Sequence, residues 1–344
     1  MKSLLKSKTF HLPDDLNATK PPEKRGVRRD HVKLMVTDRK AKSIFHDTFF
    51  HLGDYLKSGD LLILNNSRTI PAVLKANVFQ RNRKVLQDVE IRLARKVSEN
   101  SWDVLILDHS INEGDTLNFY NEVDAVVIER RSNSPLWNIS FKCNSEKLYP
   151  FIYRYGQPIR YEYIHYPWEL GYYQTTFASV PGSVELPSAG RAFSWEMLFN
   201  LQKKGIKIGY LQLHTSLSYM LEDHWPLQPQ SNPEYYHVPE ETMKMVEEAK
   251  LSGGRIIAVG TTVVRALETA LKTNMNEGMT NLYIGPDFNL KGTNGILTGF
   301  HEPEASHLDL LSAFINTQYL LDTYNQAIDR GYLWHEFGDM NLII

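Results

Sequence analysis

The pattern of hydrophobic and polar positions divides the chain into two kinds of region, which predict different secondary structure. Between residue 72 and about residue 145, short segments alternate polar and apolar positions or are rich in β-branched residues, as in AVLKANVF (72–79) and DVEIRLAR (88–95). Turn signals such as Glu113-Gly114-Asp115 separate these segments. The pattern predicts an antiparallel barrel or sandwich of roughly 75 residues that is inserted into a larger domain.

The rest of the chain alternates predicted helices and strands. Ser194 is placed to cap a helix that ends before Gly205, and a long helix is expected from Ser306 to about Arg330. Further helices are predicted at 239–251 and 262–272, and strands at 60–64, 206–213, 255–260, 281–285 and 295–300. This order predicts an α/β main domain with a largely parallel sheet (1–71 and 147–344), plus an inserted antiparallel β-barrel-like domain (72–146).

Composition narrows the class of protein. The chain has 344 residues, of which 42% are hydrophobic and 23% charged, so it is too apolar for a disordered protein. No apolar run approaches the roughly 18 residues of a membrane helix, and the N-terminal segment has no secretory pattern. The single cysteine, Cys143, excludes an internal disulfide framework. We therefore expect a cytoplasmic protein that does not associate with membranes.

Positive charge is unevenly distributed. The net charge is −2, yet residues 1–42 hold twelve Lys and Arg residues against five acidic residues. A second basic group, the hairpin cluster, consists of Arg81, Arg83 and Lys84. Such groups form either a phosphate-contacting surface or an ordinary solvated face.

Polar side chains follow three of the predicted strands. His214 follows strand 206–213, Thr261 and Thr262 follow strand 255–260, and His301 follows strand 295–300. In open α/β sheets, ligands bind outside the carboxyl ends of the strands, so these residues predict a site there. Each also has a structural interpretation: the histidines as hydrogen-bonded residues and the threonines as helix caps. Arg265 and Glu268, three residues apart on one predicted helix, could pair with each other.

A series of sequence blocks runs in order across almost the whole chain. The strongest block is GGRIIAVGTTVVRALETA (253–270). The other blocks include Arg29-Asp30, GDLLILNNSRTIPA (59–72), YQT (173–175), SAG (188–190) with Phe193, KKGIKI (203–208), LH (213–214), Glu234 with Tyr236, Phe300-His301 with Pro303, SAF (312–314) and FGD (337–339). With these blocks the chain resembles one enzyme family, the S-adenosylmethionine:tRNA ribosyltransferase-isomerases of queuosine biosynthesis.

The resemblance implies a specific reaction. Members of this family transfer the ribosyl part of S-adenosylmethionine to 7-aminomethyl-7-deazaguanine at the tRNA wobble position, form epoxyqueuosine, and release adenine and methionine. It implies an α/β domain with a smaller β-barrel domain, S-adenosylmethionine as co-substrate, tRNA as partner and no metal requirement. A monomer is favoured.

Roles can then be assigned to residues of this chain as expectations. His214 and His301 are the candidate acid–base residues. The candidate contacts to S-adenosylmethionine are Thr261, Thr262, Arg265 and Glu234. The candidate contacts to the acceptor or its tRNA are Arg191, Tyr173, Gln174 and the hairpin cluster.

Several positions depart from the family pattern. The family's T-A-G-L-H-F is Ser188-Ala189-Gly190-Arg191-Ala192-Phe193 here, and both glycines of L-H-V-G-x-G are serines, Ser216 and Ser218. Ser231-Asn232 replaces Met-His, and 159–164 (IRYEYI) replaces P-L-P-P-Y-I. Loss of loop glycines predicts a reshaped pocket. Two alternatives therefore stay open: a different amine or nucleobase acceptor, and a non-catalytic RNA-binding module.

Overall fold

The computed structural model describes residues 10–108, 110–132, 134–218, 229–303 and 306–344. Their strands fall into a large sheet, a closed barrel and a short two-stranded pair. In chain order the strands are β1 Lys33–Asp38, β2 Ser43–Thr48, β3 Leu61–Asn65, β4 Ser67–Thr69, β5 Val73–Gln80, β6 Arg83–Lys96, β7 Ser101–Ile106, β8 Thr116–Phe119, β9 Val123–Arg130, β10 Trp137–Phe141, β11 Val180–Ser183, β12 Lys207–Leu213, β13 Glu234–His237, β14 Ile256–Val259, β15 Glu277–Thr280, β16 Gly295–Gly299 and β17 Met340–Ile343.

The large sheet has a parallel centre with antiparallel strands on both sides. Its order is β15-β13-β12-β3-β14-β16-β17-β1-β2. The central strands β12, β3, β14 and β16 are mutually parallel. Strands β13 and β17 run antiparallel to the strands beside them at the two ends of this centre. The predicted α/β class is confirmed, and the sheet is a mixed one.

The predicted inserted unit is a closed antiparallel barrel with the strand order β10-β7-β6-β5-β8-β9. Its inward positions form a continuous apolar core that includes Trp102, Phe119 and Phe141. Closure removes the exposed strand edges that an open sheet of this length would carry. The strands lie between residues 73 and 141, inside the predicted 72–146 segment, whose boundaries stay a prediction.

Helices cover both faces of the large sheet. They are α1 Ser145–Tyr155, α2 Trp195–Lys203, α3 Glu240–Ser252, α4 Thr261–Thr273, α5 Ser306–Leu311 and α6 Thr317–Asp329. Side chains alternate along β3, so Leu62 and Leu64 pack on the face covered by α2, while Leu61 and Ile63 pack on the face covered by α3 to α6. Helix α1 packs against the barrel core.

Two predicted elements are wrong. The strand expected at 281–285 lies at β15 (277–280), and 281–285 is a loop whose Ile284 is buried in the core. The long helix expected from Ser306 to Arg330 is divided into α5 and α6. Asn316 begins α6, because its side chain accepts hydrogen bonds from the backbone N–H groups of Gln318 and Tyr319. Among the described residues, no helix is long and apolar enough to cross a membrane.

Candidate active site

One edge of the large sheet collects the predicted site residues. The parallel strands β12, β14 and β16 all end there, which places His214, Thr261 and His301 along the same edge. Strand β17 runs antiparallel to β16, with Gly299 opposite Met340, so the segment before β17 reaches this edge too. Strand β13 is antiparallel to β12, and its first residue, Glu234, also lies there. The convergence predicted from the strand ends is confirmed as geometry.

His214 ends a chain of hydroxyl groups. Its Nδ1 lies 2.7 Å from Ser67 Oγ, which lies 2.6 Å from Ser183 Oγ. Its ring stacks on Tyr235 at 5.5 Å and also fills the space beside Gly182, where an added Cβ would lie 2.6 Å from the ring. Burial, reinforced by the charge of Lys96, lowers the pKa of His214 to about 4. At neutral pH the imidazole is therefore uncharged and can accept a proton.

His301 is held by a different set of partners. Its Nε2 lies 2.9 Å from Thr298 Oγ1, its ring stacks on His307 at 4.4 Å, and its carbonyl accepts a hydrogen bond from Trp334 Nε1. Burial lowers its pKa well below the ordinary value, and the neighbouring His307 and His335 lower it further. His301 is therefore also neutral at pH 7.

The two histidines occupy separate parts of the edge. The strands they follow, β12 and β16, are separated by β3 and β14. Three strand spacings of about 4.8 Å put the ends of β12 and β16 roughly 14 Å apart. They therefore cannot share one proton directly, and any joint role requires a ligand that extends along the edge.

The N-terminus of α4 lies between them. Gly260 precedes the helix with φ of +95°, in the region that favours glycine, and an added Cβ would lie 3.2 Å from Ala189 Cβ. The backbone N–H groups of Val263 and Val264 bond to the Gly260 carbonyl. The first backbone amides of a helix have no partner within it, so those of Thr261 and Thr262 are oriented to bind an anionic group. The Thr262 hydroxyl also accepts a hydrogen bond from Asn65 Nδ2, at the end of β3, at 3.4 Å.

Arg265 and Glu234 form a buried ion pair across the sheet face. Arg265 Nη1 bonds Glu234 Oε2, and their side chains are 14% and 9% exposed. Glu234 Oε1 accepts from the backbone N–H of Ser216 at 2.8 Å and from its hydroxyl at 3.0 Å. The suggested pair of Arg265 with Glu268 is wrong, since Glu268 instead accepts from the backbone of 291–292. Arg265 and Glu234, two of the four predicted cofactor contacts, are thus bonded to each other. Through Glu234 they are also bonded to Ser216 in the loop after β12.

Arg191 lies beside the segment that precedes β17. It is 2% exposed, donates to the Tyr172 carbonyl at 2.8 Å and to Glu23 at 2.8 Å, and stacks on Phe337 at 5.0 Å. Although burial favours a higher pKa for Glu23, its contact with Arg191 outweighs this and the pKa is lowered. Arg191, which stands where the family pattern has leucine and precedes the Ala192 that stands in place of the histidine, is therefore a buried partner of a carboxylate.

Gln174 and Tyr173 differ in whether their side-chain polar groups have hydrogen-bond partners. The Gln174 side chain is paired with the backbone of Thr69, accepting at 3.1 Å and donating at 2.7 Å. Tyr173 is 3% exposed, and its hydroxyl has no hydrogen-bond partner among the described residues. A buried hydroxyl without a partner carries an uncompensated cost of desolvation, whereas the Gln174 side chain is fully engaged in holding Thr69. The roles of both residues as substrate contacts stay predictions.

The basic groups are dispersed. Residues 20–32 lead into β1 and lie at the site edge, whereas the β1–β2 turn, which carries Lys40 and Lys42, lies at the opposite edge. Lys2, Lys6 and Lys8 lie outside the described residues. The barrel contacts the site edge through Ala94, whose carbonyl accepts from the Leu217 N–H.

The hairpin cluster lies at the tip of the β5–β6 hairpin. Val73 pairs with Arg92 at the end of this hairpin near the site, and Gln80 pairs with Arg83 at the tip. Seven residues of strand put the cluster roughly 20 Å from the barrel end that touches the site. The cluster therefore lies at the end of the hairpin that is farther from the contact between the barrel and the loop after β12.

Asn65, Ser67 and Ser183 are site residues that the sequence reasoning missed. Asn65 Nδ2 donates to the Leu213 carbonyl at 2.9 Å and to Thr262 Oγ1 at 3.4 Å. Its Oδ1 accepts from the backbone N–H groups of Leu213 and Ser67 at 3.1 and 3.0 Å. Asn65 thereby locks the ends of β3 and β12 together. Asn65 follows a predicted buried strand and lies inside the block 59–72 that matches the family. These two features could have identified it as a site residue.

Comparison with known proteins agrees with this architecture. The family model described as "Queuosine biosynthesis protein" matches residues 5–343. The chain belongs to this family. It is 33% identical to the S-adenosylmethionine:tRNA ribosyltransferase-isomerase of Sulfurihydrogenibium sp. (strain YO3AOP1), over 97% of this chain and 98% of that protein. It is 35% identical to the enzyme of the same name from Aquifex aeolicus (strain VF5), with the same coverage.

A solved structure of the same family has the same overall fold. The crystal structure of S-adenosylmethionine tRNA ribosyltransferase from Thermotoga maritima matches with a TM-score of 0.55 and 29% identity, over 98% of this chain and 99% of that chain. In the described part of this chain, no group of three or more His, Cys, Asp or Glu side chains is arranged to hold a metal ion.

Proposed function

We propose that this protein transfers and isomerises the ribosyl part of S-adenosylmethionine onto 7-aminomethyl-7-deazaguanine at the wobble position of tRNA. The products are epoxyqueuosine-tRNA, adenine and methionine. The observation that carries this proposal is the family match over residues 5–343, together with relatives of 33–35% identity that span nearly the whole chain. The fold and the strand-end site are consistent with it.

The reaction requires three functions from the protein. The sulfonium acidifies the adjacent ribose carbon, so a base must remove a proton there before adenine is eliminated. A proton donor helps adenine leave, and the amine of the acceptor then attacks the opened sugar. The methionine carboxylate requires an anion site.

The residues at the strand ends supply matching groups. His214 is neutral, and its Nδ1 contacts Ser67, so when Nδ1 donates to Ser67 Oγ the Nε2 atom is free to take a proton. The N-terminus of α4, with Thr261 and Thr262, suits the carboxylate. His301, roughly 14 Å along the edge from His214, suits a proton transfer at the far end of an extended ligand. These roles are part of the proposal.

Adenine release tests the proposal. Protein is incubated with S-adenosylmethionine and tRNA that carries the precursor base, and adenine is measured by chromatography. We expect release only when both are present, and none with S-adenosylhomocysteine, which lacks the sulfonium. His214→Gln should abolish release while S-adenosylmethionine still binds. His51→Gln, at an exposed histidine 2.7 Å from Asp47, is the matched control and should retain activity.

Two outcomes would contradict the assignment. If neither precursor tRNA nor the free precursor base supports adenine release, the activity is wrong. If S-adenosylmethionine binds but precursor tRNA does not, the alternative with a different acceptor replaces it.

A further inference from the structure

An exposed group of aromatic side chains lies beside the site, on the segment that follows α1. Tyr166 is 60% exposed, and its ring centre lies 4.3 Å from that of Trp168. Trp168 meets Tyr172 edge-on at 5.9 Å. The ammonium of Lys24 lies 5.9 Å from the Trp168 ring centre and 5.5 Å from that of Tyr172. We call these four residues the aromatic platform.

The platform is fixed to the body of the protein. Trp168 Nε1 donates to the Thr19 carbonyl at 3.2 Å. Trp168 and Tyr172 also pack against a small buried core that contains Tyr173 and Phe337. Because Phe337 lies just before β17, whose start is at the site edge, the platform is held next to the candidate active site.

A second part of the same segment continues toward the site. Tyr163 stacks on His335 at 4.4 Å, and its hydroxyl bonds Glu336. Both partners precede β17 at the edge that also carries His301. An RNA loop that placed one base at this edge would therefore have aromatic surface available for its neighbouring bases.

The chemistry of the platform favours unpaired nucleotides. Aromatic rings stack on bases whatever their identity, and a lysine beside the rings can meet the phosphates that connect them. Lys20, Lys24 and Arg28 are exposed in the segment that packs beside the platform, while Glu162 and Glu169 are the acidic residues of the platform's own segment. A second exposed aromatic pair, Trp195 with Phe199 on α2, lacks this combination: among the described residues no cation lies over its rings.

We propose that the aromatic platform stacks the unpaired nucleotides of the RNA loop that flank the modified nucleotide. The occupant is thus single-stranded RNA, and Tyr166 is the outermost stacking surface. This inference rests on the proposed function, because it assigns a surface to the tRNA that the reaction requires.

Binding measurements without catalysis test it. A labelled anticodon stem-loop RNA and a blunt RNA duplex of equal length are titrated with protein, and fluorescence anisotropy is followed at several salt concentrations. We expect Tyr166→Ala to weaken stem-loop binding by about 5- to 140-fold, the range typical of one base–aromatic stack. Its salt dependence should be nearly unchanged, because stacking releases no counterions.

Other variants separate stacking from charge. Tyr166→Phe keeps the ring and should restore stem-loop affinity to near the wild-type value. Lys24→Gln should lower the salt slope by about one unit. Phe199→Ala, which removes a similarly exposed ring on α2 (55% against 60% for Tyr166), is the matched control and should leave affinity unchanged. Circular dichroism checks that each variant is folded.

The outcomes distinguish this inference from the proposed function. If Tyr166→Ala binds the stem-loop as tightly as the wild type, or loses duplex binding to the same extent, the platform is not a stacking surface, and adenine release can still be intact. If the wild-type protein binds no RNA at all, both the inference and the tRNA assignment are wrong.

Discussion

The ion pair between Arg265 and Glu234 allows a direct test of whether these residues position the site or contact the co-substrate. Removing the arginine leaves the Glu234 carboxylate in a pocket where it is 9% exposed. Breaking a buried pair by deleting one partner typically costs about 3–5 kcal/mol, because an uncompensated charge remains. Arg265 also donates to the Leu282 carbonyl at 3.2 Å, and that contact is lost as well. We expect Arg265→Ala to destabilise the fold by about 3 kcal/mol or more.

A double-mutant cycle measures the coupling. The variants Arg265→Ala, Glu234→Gln and the double variant are compared by urea unfolding, and binding of S-adenosylmethionine to each is measured by calorimetry. Removing both charges relieves the unpaired carboxylate, so the double variant should recover about 1–3 kcal/mol relative to the sum of the single changes. Lys207→Ala is the control: Lys207 and Glu248 form an exposed pair at 2.7 Å that water screens, so losing it should leave the urea midpoint nearly unchanged.

The results separate two roles. If the pair positions the loop after β12, affinity for S-adenosylmethionine falls in parallel with the loss of stability and is partly restored in the double variant. If the single variant Arg265→Ala loses affinity but unfolds at the wild-type urea concentration, the structural reasoning is refuted and Arg265 is a direct contact.

Three further predictions follow from the site and the barrel. Ser67→Ala, which removes the hydroxyl 2.7 Å from His214 Nδ1, should reduce adenine release while S-adenosylmethionine affinity, measured by calorimetry, is kept. The pKa of His214 is about 4 in the folded protein and about 6.5 in the unfolded chain, so its contribution to stability is complete above pH 6.5 and is lost as the pH falls toward 4. The loss amounts to about 3 kcal/mol. Urea unfolding of His214→Gln should therefore show a flatter pH dependence over this range. Replacing the whole hairpin cluster by Ala should lower the salt slope of tRNA binding by up to about three units, with S-adenosylmethionine affinity unchanged, and an unaltered slope would make the cluster a solvated face.

A helix or strand could be predicted from the sequence where the residues that determine it are neighbours in the chain. The helix that begins after Ser194 was predictable because its cap is local: Ser194 accepts from the Met197 N–H at 3.2 Å. The misplaced strand at 281–285 shows the limit. Its apolar residues pack into the core as a loop, whereas the less apolar segment Glu277–Thr280 forms a strand because β13 lies beside it, with Tyr236 opposite Gly278. Pairing with a distant segment overrides local hydrophobicity.

The site shows the same division. Residues at strand ends were predictable, since parallel strands bring their carboxyl ends to one edge. Their partners were not, because a hydrogen bond such as that between Ser67 and His214 joins positions far apart in the chain. The partners of Arg265 were misassigned for the same reason: Glu268 is near in sequence, but Glu234 is near in space.

The departures from the family pattern are coupled in space. Ser216, in place of a loop glycine, donates its hydroxyl to Glu234 at 3.0 Å and accepts from Asn232 Nδ2 at 2.6 Å. Asn232 is itself a departure, in the Ser231-Asn232 pair that stands where the family has Met-His. Two substitutions sixteen residues apart thus form one network that includes a predicted cofactor contact.

The second lost glycine belongs to a similar network, which is centred on Glu185. Ser218 donates from its backbone N–H and its hydroxyl to Glu185, both at 2.7 Å, and Tyr161, from the divergent segment 159–164, donates to the same carboxylate at 2.6 Å. Neither Ser216 nor Ser218 has a positive φ, so this loop no longer needs glycine. Hydrogen bonds to hydroxyl groups restrain a loop that two glycines would leave freer. Ser216→Gly alone would remove one donor from Glu234 and would also take away the acceptor of Asn232 Nδ2, so we expect the free-energy effects of changes at Ser216 and Asn232 to be non-additive.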